Sequence, residues 1–434
     1  MKLYLENLAK IKKADLEFNG ITVIAGENNT GKSTIGKLLF SIFNTMYQVE
    51  AKIAQQKEDI IFRTIYSLLQ EQSNLDKTTP FHSDDFLFDH SPSIRVVSLE
   101  LANEIISLPT KNKESLFELI NNFFHEESYS SIVSNKVISN IVEKVINIFN
   151  IPNEKLLQEI STNSFNQTFE QQISPLTNED LISNIELTIK EKKLAFQFQL
   201  NQCNYLNSEF NILHQAFYID NPFLIDQMNQ RTNIRRMKST DIHLLKHLQK
   251  ESTDAFTGIF DTVITKERLN NIYDILNDIV EGKIISNRNN EYYLSSKSFH
   301  KPINIKNLST GLKSFTLIKI LLENGSLKEK DILILDEPEI HLHPEWQLIY
   351  AELLVLLQRE FDLTIIITTH SPYFLDAIDV FSAKHNISEK IKYYLAENKE
   401  QISFFYDVTN QIDLIYKKLS DPLQKLEQLR NIHP

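Results

Sequence analysis

The spacing of apolar and polar residues changes several times along the 434-residue chain, and each change predicts a different element. Alternation predicts strands at residues 3–5 and 14–18. The pair Asn19-Gly20 then precedes the apolar run 21–25, which predicts a hairpin turn leading into a buried strand. From residue 33 to about residue 53 the apolar spacing becomes helical. We therefore expect three strands and one helix in this part of the chain.

Residues 54–183 have a different character, because they are rich in Asn, Gln, Ser, Ile and Phe and show helical spacing at 60–69, 116–124 and 137–149. No heptad pattern is sustained over three or four repeats, which favours a compact helical lobe over a long coiled-coil arm. Alternation returns at 185–189 and 194–200 around a polar turn, which predicts a hairpin.

The rest of the chain again mixes strand and helix patterns. Residues 216–220 predict a short strand, 240–280 a helical stretch, and 284–294 a further hairpin. The apolar runs 332–335 and 364–368 predict central parallel strands, and polar residues follow each of them directly. Residues 391–395 and 402–406 predict two more strands, and 412–429 an amphipathic helix.

The first candidate for chemistry is the stretch from Gly26 to Ser33, which fits the pattern G-x-x-x-x-G-K-S between a strand and a helix. Such a loop binds the phosphates of ATP through backbone N–H groups at a helix N-terminus. Lys32 is expected to reach the β- and γ-phosphates, and the Ser33 hydroxyl to bind Mg²⁺. The expected ATP-binding residues of this stretch are Gly26, Asn28, Asn29, Thr30, Gly31, Lys32, Ser33 and Thr34.

Three further groups would complete a hydrolytic site. Asp336 ends a buried strand and is expected to hold Mg²⁺, while the adjacent Glu337 is the candidate base for the attacking water. His370 ends the next strand, where it could hydrogen-bond the γ-phosphate. Ser309 and Gly311 lie at a predicted helix start and could offer a second anion site. Because one loop already holds the nucleotide, a second anion site implies a second subunit.

A resemblance to a known family rests on four segments in this order: GENNTGKS, LSTGLKS, ILILDEPEIHLHP and TTHSP. Together they resemble the head of ABC-type ATPases of the SMC, RecF and overcoming-lysogenization-defect (OLD) group. They are most similar to compact bacterial AAA-family ATPases of anti-phage and toxin-like operons, such as the Septu and PARIS ATPase subunits. The resemblance covers about residues 1–50 and 280–415.

The resemblance implies a fold and a division of the chain. The expected class is α/β, an ABC-type P-loop ATPase head with a mixed sheet and an antiparallel β subdomain, plus an inserted helical lobe. Residues 1–53 would be the N-terminal part of the head, 54–183 the helical insertion, and 184–225 a β-hairpin part of the head. Residues 226–281 would be a helical segment, and 282–434 the C-terminal part of the head.

The resemblance also implies an assembly. Ser309 and Gly311 would form the signature loop that reaches the γ-phosphate held by another protomer, so that a head-to-head homodimer sandwiches two ATP molecules. Glu337 would be the hydrolytic base, and residues 339–344 would cross the dimer interface. The signature departs from the LSGGQ of transporters, and the glutamine that normally touches Mg²⁺ cannot be placed, so that ligand stays unassigned.

The composition limits the classes of partner and the cellular location that we expect for this protein. The 57 acidic and 45 basic residues give a formal net charge of −12, which argues against non-specific coating of nucleic acid but leaves a local basic face open. The single cysteine, Cys203, permits no intramolecular disulfide and suits a reducing cytoplasm. No run of about 18 apolar residues is present, so we expect a cytoplasmic protein without a membrane segment.

Several weaker patterns have a plainer interpretation. For the acidic and histidine residues His82, Asp84, Asp85, Asp89 and His90 we favour a surface loop over a metal site. His341 and His343 are interpreted as interface residues rather than metal ligands. The basic residues Arg231, Arg235, Arg236 and Lys238 could contact nucleic acid or an acidic partner, or simply start a solvated helix. The R-x6-H spacing of Arg236 and His243 is interpreted as chance.

The sequence leaves three functional hypotheses open. The first is an ATPase, dimeric or of higher order, that scaffolds or regulates a separately encoded effector, a nuclease or toxin, in anti-phage defence. The alternative is a RecF- or SMC-like DNA repair clamp, which a basic stripe would favour. A transporter subunit is least favoured, because its loop and signature would lie closer together than Gly26 and Ser309 do. OLD-type nucleases carry an Asp-x-Asp pair in a Toprim domain, and residues 371–434 contain none, so we expect no intrinsic nuclease.

Overall fold

The computed structural model describes residues 1–75, 93–126, 133–229, 237–250, 271–287, 291–400 and 402–432. They fall into two compact units, one of Met1–Tyr47 with Ile160–Pro434 and one of Gln48–Glu159. The first unit carries the described strands, and the second is helical. The helical unit starts and ends earlier than the insertion of 54–183 expected from the sequence.

The strands of the first unit form a large sheet and a small one. The large sheet contains β1 Lys2–Leu8, β2 Ile11–Glu17, β3 Ile21–Gly26, β4 Ser183–Ile189, β5 Lys192–Gln199, β6 Gln202–Ser208, β7 Ala216–Ile219, β11 Ile332–Asp336, β12 Thr364–Thr369, β13 Ile391–Lys399 and β14 Ile402–Asp407. The small sheet contains β8 Lys283–Ser286, β9 Tyr292–Ser295 and β10 Ile303–Asn304. Strand β6 was not predicted, because its sequence alternates only weakly.

The large sheet is mixed, with the order β6-β5-β4-β1-β2-β14-β13-β3-β12-β11-β7. The strands from β13 to β7 run parallel to one another, whereas those from β6 to β2 are antiparallel. All six residues of β3 are buried, as a strand covered on both faces requires. The expected α/β fold, with a mixed sheet, an antiparallel β part and an inserted helical lobe, is confirmed.

The hairpin predicted at Asn19-Gly20 is wrong. Strand β2 pairs with β1 and β14, whereas β3 pairs with β13 and β12, so that β13 and β14 lie between the two strands that this turn connects. The hairpin of this region is β1–β2, which turns at Ala9-Lys10. The Asn-Gly pair fixes a turn, but it cannot specify which strands pair across it.

The helices of the first unit pack against this sheet. They are α1 Lys32–Met46, α7 Ser239–Leu248, α8, of which residues 271–279 are described, α9 Thr310–Glu323, α10 Pro344–Phe361, α11 Pro372–Lys384 and α12 Asp413–Ile432. The single helix predicted from residue 33 to 53 is wrong, because α1 ends at Met46 and a new helix begins at Val49. Between them Gln48 has a φ of 50° and Tyr47 forms a β-bridge with Ile212, which the apolar spacing does not reveal.

The helical unit is built from α2 Val49–Leu75, α3 Ile94–Ser107, α4 Lys113–Glu126 and α5 Asn135–Phe149, together with the start of α6 Asn153–Phe169. Its core includes Ile65, Leu101, Ile120 and Val142, all fully buried. A core shared by four helices is typical of a compact lobe, whereas a coiled coil buries only a narrow seam along its helices.

The carboxyl ends of the parallel strands are the part of the fold that matters for function. The loop after β3, Asp336 at the end of β11 and His370 after β12 come from three neighbouring strands. In open α/β sheets ligands bind at this edge. Among the described residues, no helix is both long enough and apolar enough to cross a membrane.

Candidate nucleotide-binding site

The loop between β3 and α1 has the backbone of a phosphate cradle. Gly26 has a φ of 154°, and a Cβ atom there would lie 2.2 Å from the carbonyl oxygen of Ala396. Gly31 has a φ of 81° and directly precedes α1, whose first N–H groups face the loop. Both positions therefore need glycine, one for space and conformation and the other for conformation.

Lys32 lies inside this loop with only 4% of its surface exposed. Its amine donates hydrogen bonds to the carbonyl oxygens of Gly26, at 3.0 Å, and Glu27, at 2.8 Å. Burial lowers the pKa of Lys32, and the carboxylates of Glu337 and Asp336 oppose that shift. A phosphate is a stronger acceptor for an ammonium than these carbonyls, so the amine is placed to bind one.

Asp336 is held by three hydroxyl groups. Ser33 Oγ donates to its Oδ1 at 3.0 Å, the hydroxyl of Thr368 donates to the same oxygen, and Tyr218 donates to Oδ2 at 2.7 Å. Burial and the neighbouring Asp336 raise the pKa of Tyr218, so the phenol stays a donor. The Ser33 hydroxyl and the Asp336 carboxylate are hard oxygen ligands, and their proximity fits a Mg²⁺ ion that also binds nucleotide phosphates.

Glu337 stands between the loop and the end of β12. Its Oε1 atom lies 3.9 Å from the amine of Lys32 and 3.3 Å from Nδ1 of His370, the latter without hydrogen-bond geometry. Its backbone has a φ of 51°, and its N–H donates to the carbonyl oxygen of Thr368 at 3.0 Å. A left-handed glutamate is a strained backbone of the kind found at active sites. The structure thus brings Lys32, Glu337 and His370 together.

Glu339 turns away from solvent and ties the end of β11 to the end of β12. It is 3% exposed, and its Oε1 accepts from the Thr369 hydroxyl and from the N–H of His370 at 3.2 Å. Its Oε2 is buried and accepts no hydrogen bond from the described residues. Burial raises the pKa of this carboxyl. Of the segment 339–344, Glu339 is therefore enclosed within its own protomer, whereas Ile340 is 53% exposed.

Ser309 and Gly311 have local roles in this protomer. Ser309 is exposed, and its hydroxyl caps α9 by accepting a hydrogen bond from the N–H of Leu312 at 3.4 Å. A Cβ atom on Gly311 would lie 2.6 Å from a ring carbon of Trp346, so close packing of α9 against the start of α10 requires glycine here.

A cavity of about 290 Å³ lies over the phosphate loop. Its lining residues are Ala9, Lys10, Asn29, Thr30, Gly31, Lys32, Ser33, Thr34, Lys37, Phe169, Gln172, Leu176 and Glu337. Four further residues lie beside it. Gly26 and Asn28 belong to the same loop, Asp336 is hydrogen-bonded to Ser33, and His370 lies 3.3 Å from Glu337. Ser309 and Gly311 are not part of the lining.

Sequence analysis missed several groups of this site. Lys10 donates to Asn29 Oδ1 at 2.5 Å, and Gln172 comes from a segment with no recognisable motif. Tyr218 lies on β7, which neighbours β11 in the sheet. The strand pattern at 216–220 predicted the position of Tyr218 but not its contact with Asp336.

The weaker candidates separate into those that the structure describes and those outside it. His341 packs its ring against Phe223 at 5.5 Å, and His343 caps α10. Lys238 pairs with Asp220 at 3.0 Å, and His243 packs against Phe40. The residues 82–90, Arg231, Arg235 and Arg236 lie outside the described residues. In the described part of the chain, no three His, Cys, Asp or Glu side chains form a metal-binding group.

Burial raises the pKa of the Cys203 thiol to about 12, which makes it unreactive.

Comparison with known proteins identifies a family. The family model described as "AAA ATPase domain" matches residues 1–375. Among solved structures, the SMC head domain from Thermotoga maritima is 11% identical, with 94% of this chain and 98% of that chain covered and a TM-score of 0.40. An SmcHead bound to the C-winged helix domain of ScpA is 12% identical, with 95% and 98% covered and a TM-score of 0.44. The Pyrococcus furiosus Smc head domain with an extended coiled coil is 11% identical, with 99% and 98% covered and a TM-score of 0.33.

Proposed function

We propose that this chain, which belongs to the AAA ATPase domain family, binds ATP with Mg²⁺ at the phosphate loop and hydrolyses it. One observation carries the proposal. The Ser33 hydroxyl lies 3.0 Å from Asp336 Oδ1, and beside them Glu337 lies between Lys32 and His370. A loop for phosphate, ligands for a metal and a carboxylate base thus come together at one edge of the sheet.

Each side chain has one task in this proposal. Lys32 binds the β- and γ-phosphates, and Ser33 and Asp336 hold the metal. When bound, Mg²⁺ would neutralise phosphate charge and fix the phosphates in place. Glu337 accepts the proton of the attacking water at its carboxylate, and His370 fixes the γ-phosphate end of the site.

We further propose that ATP joins two copies of the chain head to head. Ser309 is exposed at the N-terminus of α9 and does not line the cavity of its own protomer. A helix N-terminus that is exposed but unused by its own nucleotide supports a role for Ser309 and Gly311 at the γ-phosphate of a partner.

For the biological role we propose a scaffold that regulates a separately encoded effector, a nuclease or toxin, in anti-phage defence. A DNA clamp would use the same ATPase, but the net charge of −12 offers no general attraction for duplex DNA. The test is co-purification with the product of the neighbouring gene in the presence and absence of ATP. Salt-sensitive, ATP-dependent binding of duplex DNA without any such partner would favour the clamp instead.

The ATPase proposal is tested by two substitutions, one expected to affect hydrolysis and the other to affect ATP binding. Glu337→Gln keeps the shape of the side chain but removes the base, so phosphate release should fall by roughly 10²- to 10⁴-fold while ATP still binds. Lys32→Ala removes the cation that holds the phosphates, so ATP binding itself should be lost. Both are measured by phosphate release and by titration calorimetry with ATP and Mg²⁺.

The wild-type protein with EDTA in place of Mg²⁺ is the control for metal dependence. If Glu337→Gln hydrolysed ATP at the wild-type rate, Glu337 would not be the base. Unchanged ATP affinity in Lys32→Ala would contradict the phosphate-loop assignment.

A further inference from the structure

We propose that residues 169–176 form the nucleoside end of the cavity and that Gln172 contacts the edge of the nucleotide base. This inference rests on the proposed function, because it names the part of the same cavity that distinguishes a nucleotide from a simple polyphosphate. The motif residues at or beside this cavity account only for the phosphates, since they lie in the phosphate loop, at the start of α1, or at the ends of β11 and β12.

The composition of the cavity lining points to two chemically different parts. Lys32, Ser33 and Glu337 belong to the phosphate and metal chemistry. The remaining lining includes Phe169 at the end of α6 and Gln172 and Leu176 after it, which offer no positive charge for phosphate, in contrast to Lys10 and Lys37. A nucleotide whose phosphates sit on the loop can extend its nucleoside towards these three uncharged residues.

The segment is fixed in place rather than free to move away. The N–H of Ala9 donates to the carbonyl oxygen of Ile173 at 3.0 Å, and the N–H of Leu176 donates back to the carbonyl oxygen of Ala9 at 2.9 Å. Asn201 Oδ1 accepts the N–H groups of Ile173 and Ser174, each at 2.9 Å. The segment is thus bonded to the β1–β2 turn that lines the same cavity, and binding there requires little ordering of the chain.

The side chains that this segment presents suit a base. Leu176 is 54% exposed and lines the cavity, where it offers most of the apolar surface of this segment. Phe169 is only 8% exposed, and its ring packs against that of Phe165, with centroids 6.4 Å apart and planes at 14°, so it adds a smaller apolar surface. Apolar and aromatic surfaces pack against the face of a base, and such contacts do not depend on which base is present.

Gln172 supplies the polar contact. It is exposed at the cavity, and its amide makes no hydrogen bond to any residue that the structure describes. An amide offers a donor and an acceptor together, which matches the paired donor and acceptor on the edge of adenine. Gln172 is therefore the residue of this segment that can hydrogen-bond the edge of a base.

The experiment compares ATP with inorganic tripolyphosphate, which has the phosphates but no nucleoside. Affinities of both ligands are measured by titration calorimetry for the wild-type protein, Gln172→Ala and Leu176→Ala. We expect either substitution to weaken ATP binding by roughly threefold to tenfold. Tripolyphosphate binding should stay unchanged, because the phosphate loop is untouched.

Gln171→Ala is the matched control, because it makes the same chemical change at an exposed neighbour that does not line this cavity. It should change neither affinity. If both ligands bind the wild-type protein but the ratio of their affinities is unchanged in Gln172→Ala and Leu176→Ala, the nucleoside site is wrong while the ATPase proposal stands. If these variants bound neither ATP nor tripolyphosphate, the proposal of separate phosphate and nucleoside parts of the cavity would also be contradicted. If neither ligand binds the wild-type protein, the proposed function itself fails.

Discussion

Glu339 is the residue whose structural role differs most from the one implied by its place in the sequence. The acidic run after β11 suggests a solvated or interface-crossing loop, yet this carboxyl is enclosed and accepts hydrogen bonds from the Thr369 hydroxyl and the His370 N–H. It therefore fixes the backbone that carries the imidazole next to Glu337. We regard it as a positioning residue, because it acts through His370.

The amide in Glu339→Gln can accept the same two hydrogen bonds, whereas Glu339→Ala leaves two buried donors without a partner. We expect the glutamine variant to keep most of the activity and the alanine variant to lose stability by about 1–3 kcal/mol. Turnover of Glu339→Ala should fall more than its ATP affinity does, because His370 loses its support. Phosphate release and chemical denaturation measure the two effects. Equal loss in both variants would mean that charge, rather than the hydrogen bonds, is what matters.

The same carboxyl predicts a pH dependence of stability with a definite sign. Burial raises the folded-state pKa of Glu339 above its ordinary value of 4.5, and the hydrogen bonds from the Thr369 hydroxyl and the His370 N–H oppose the shift without reversing it. A raised pKa means that the folded state holds the proton more tightly than the unfolded state does. The free energy of unfolding of the wild-type protein, relative to Glu339→Gln, should therefore fall as pH rises from 4.5 through the raised pKa and then level off. A difference that grows with pH would show that this carboxyl ionises more readily on folding.

At the scale of single residues, the sequence predicts those parts of the site that lie within a short motif. Lys32, Ser33, Asp336 and Glu337 are of this kind, since the spacing of the motif sets their geometry. Tyr218 and Gln172 are not, because their positions depend on pairing between distant segments. Tyr218 reaches Asp336 only because β7 is the parallel neighbour of β11, and no local pattern encodes that pairing.

At the scale of elements, the positions of strands were more predictable than their partners, which were predictable only for a local hairpin. The alternation at β4 and β5 predicted a hairpin that the structure contains. The Asn19-Gly20 turn predicted another, and it failed because β13 and β14 occupy the space between β2 and β3. Side-chain alternation reports which face of a strand is buried, whereas pairing over more than 300 residues depends on the whole sheet.

Helix α9 gives a prediction at this scale. Gly311→Ala places a methyl group 2.6 Å from the Trp346 ring, so either this ring or the two helices α9 and α10 must shift. We expect a loss of stability of about 1–3 kcal/mol, measured by denaturation. Trp346→Leu in the same chain should recover part of that loss, since it opens the space that the methyl group needs. If Gly311→Ala abolishes turnover without changing stability, contact with a nucleotide rather than packing explains this glycine.

At the scale of the whole molecule, the first unit contains the phosphate loop and, at the start of α9, the exposed Ser309. Ser309 does not line the cavity of its own protomer, so a complete site of the proposed kind needs two copies. Ser309→Arg should leave ATP binding nearly intact, because the phosphate loop is unchanged, while bulk and charge in the composite site block hydrolysis. Ser309→Ala is the matched control, since it removes the helix cap, worth about 1 kcal/mol, without adding bulk or charge.

The decisive experiment mixes two inactive proteins, Ser309→Arg and Lys32→Ala. In their heterodimer one site contains both defects, and the other combines the intact loop of the first protomer with the intact Ser309 of the second. Phosphate release should therefore recover in part on mixing, up to about half of the wild-type rate for the fraction of heterodimer formed, because one of its two sites is intact. Light scattering with ATP should show a dimer. Mixing Lys32→Ala with wild-type protein provides the scale for that recovery. If mixtures stay inactive and wild-type protein with ATP remains a monomer, Ser309 does not act in a partner's site, and each chain must hydrolyse ATP alone.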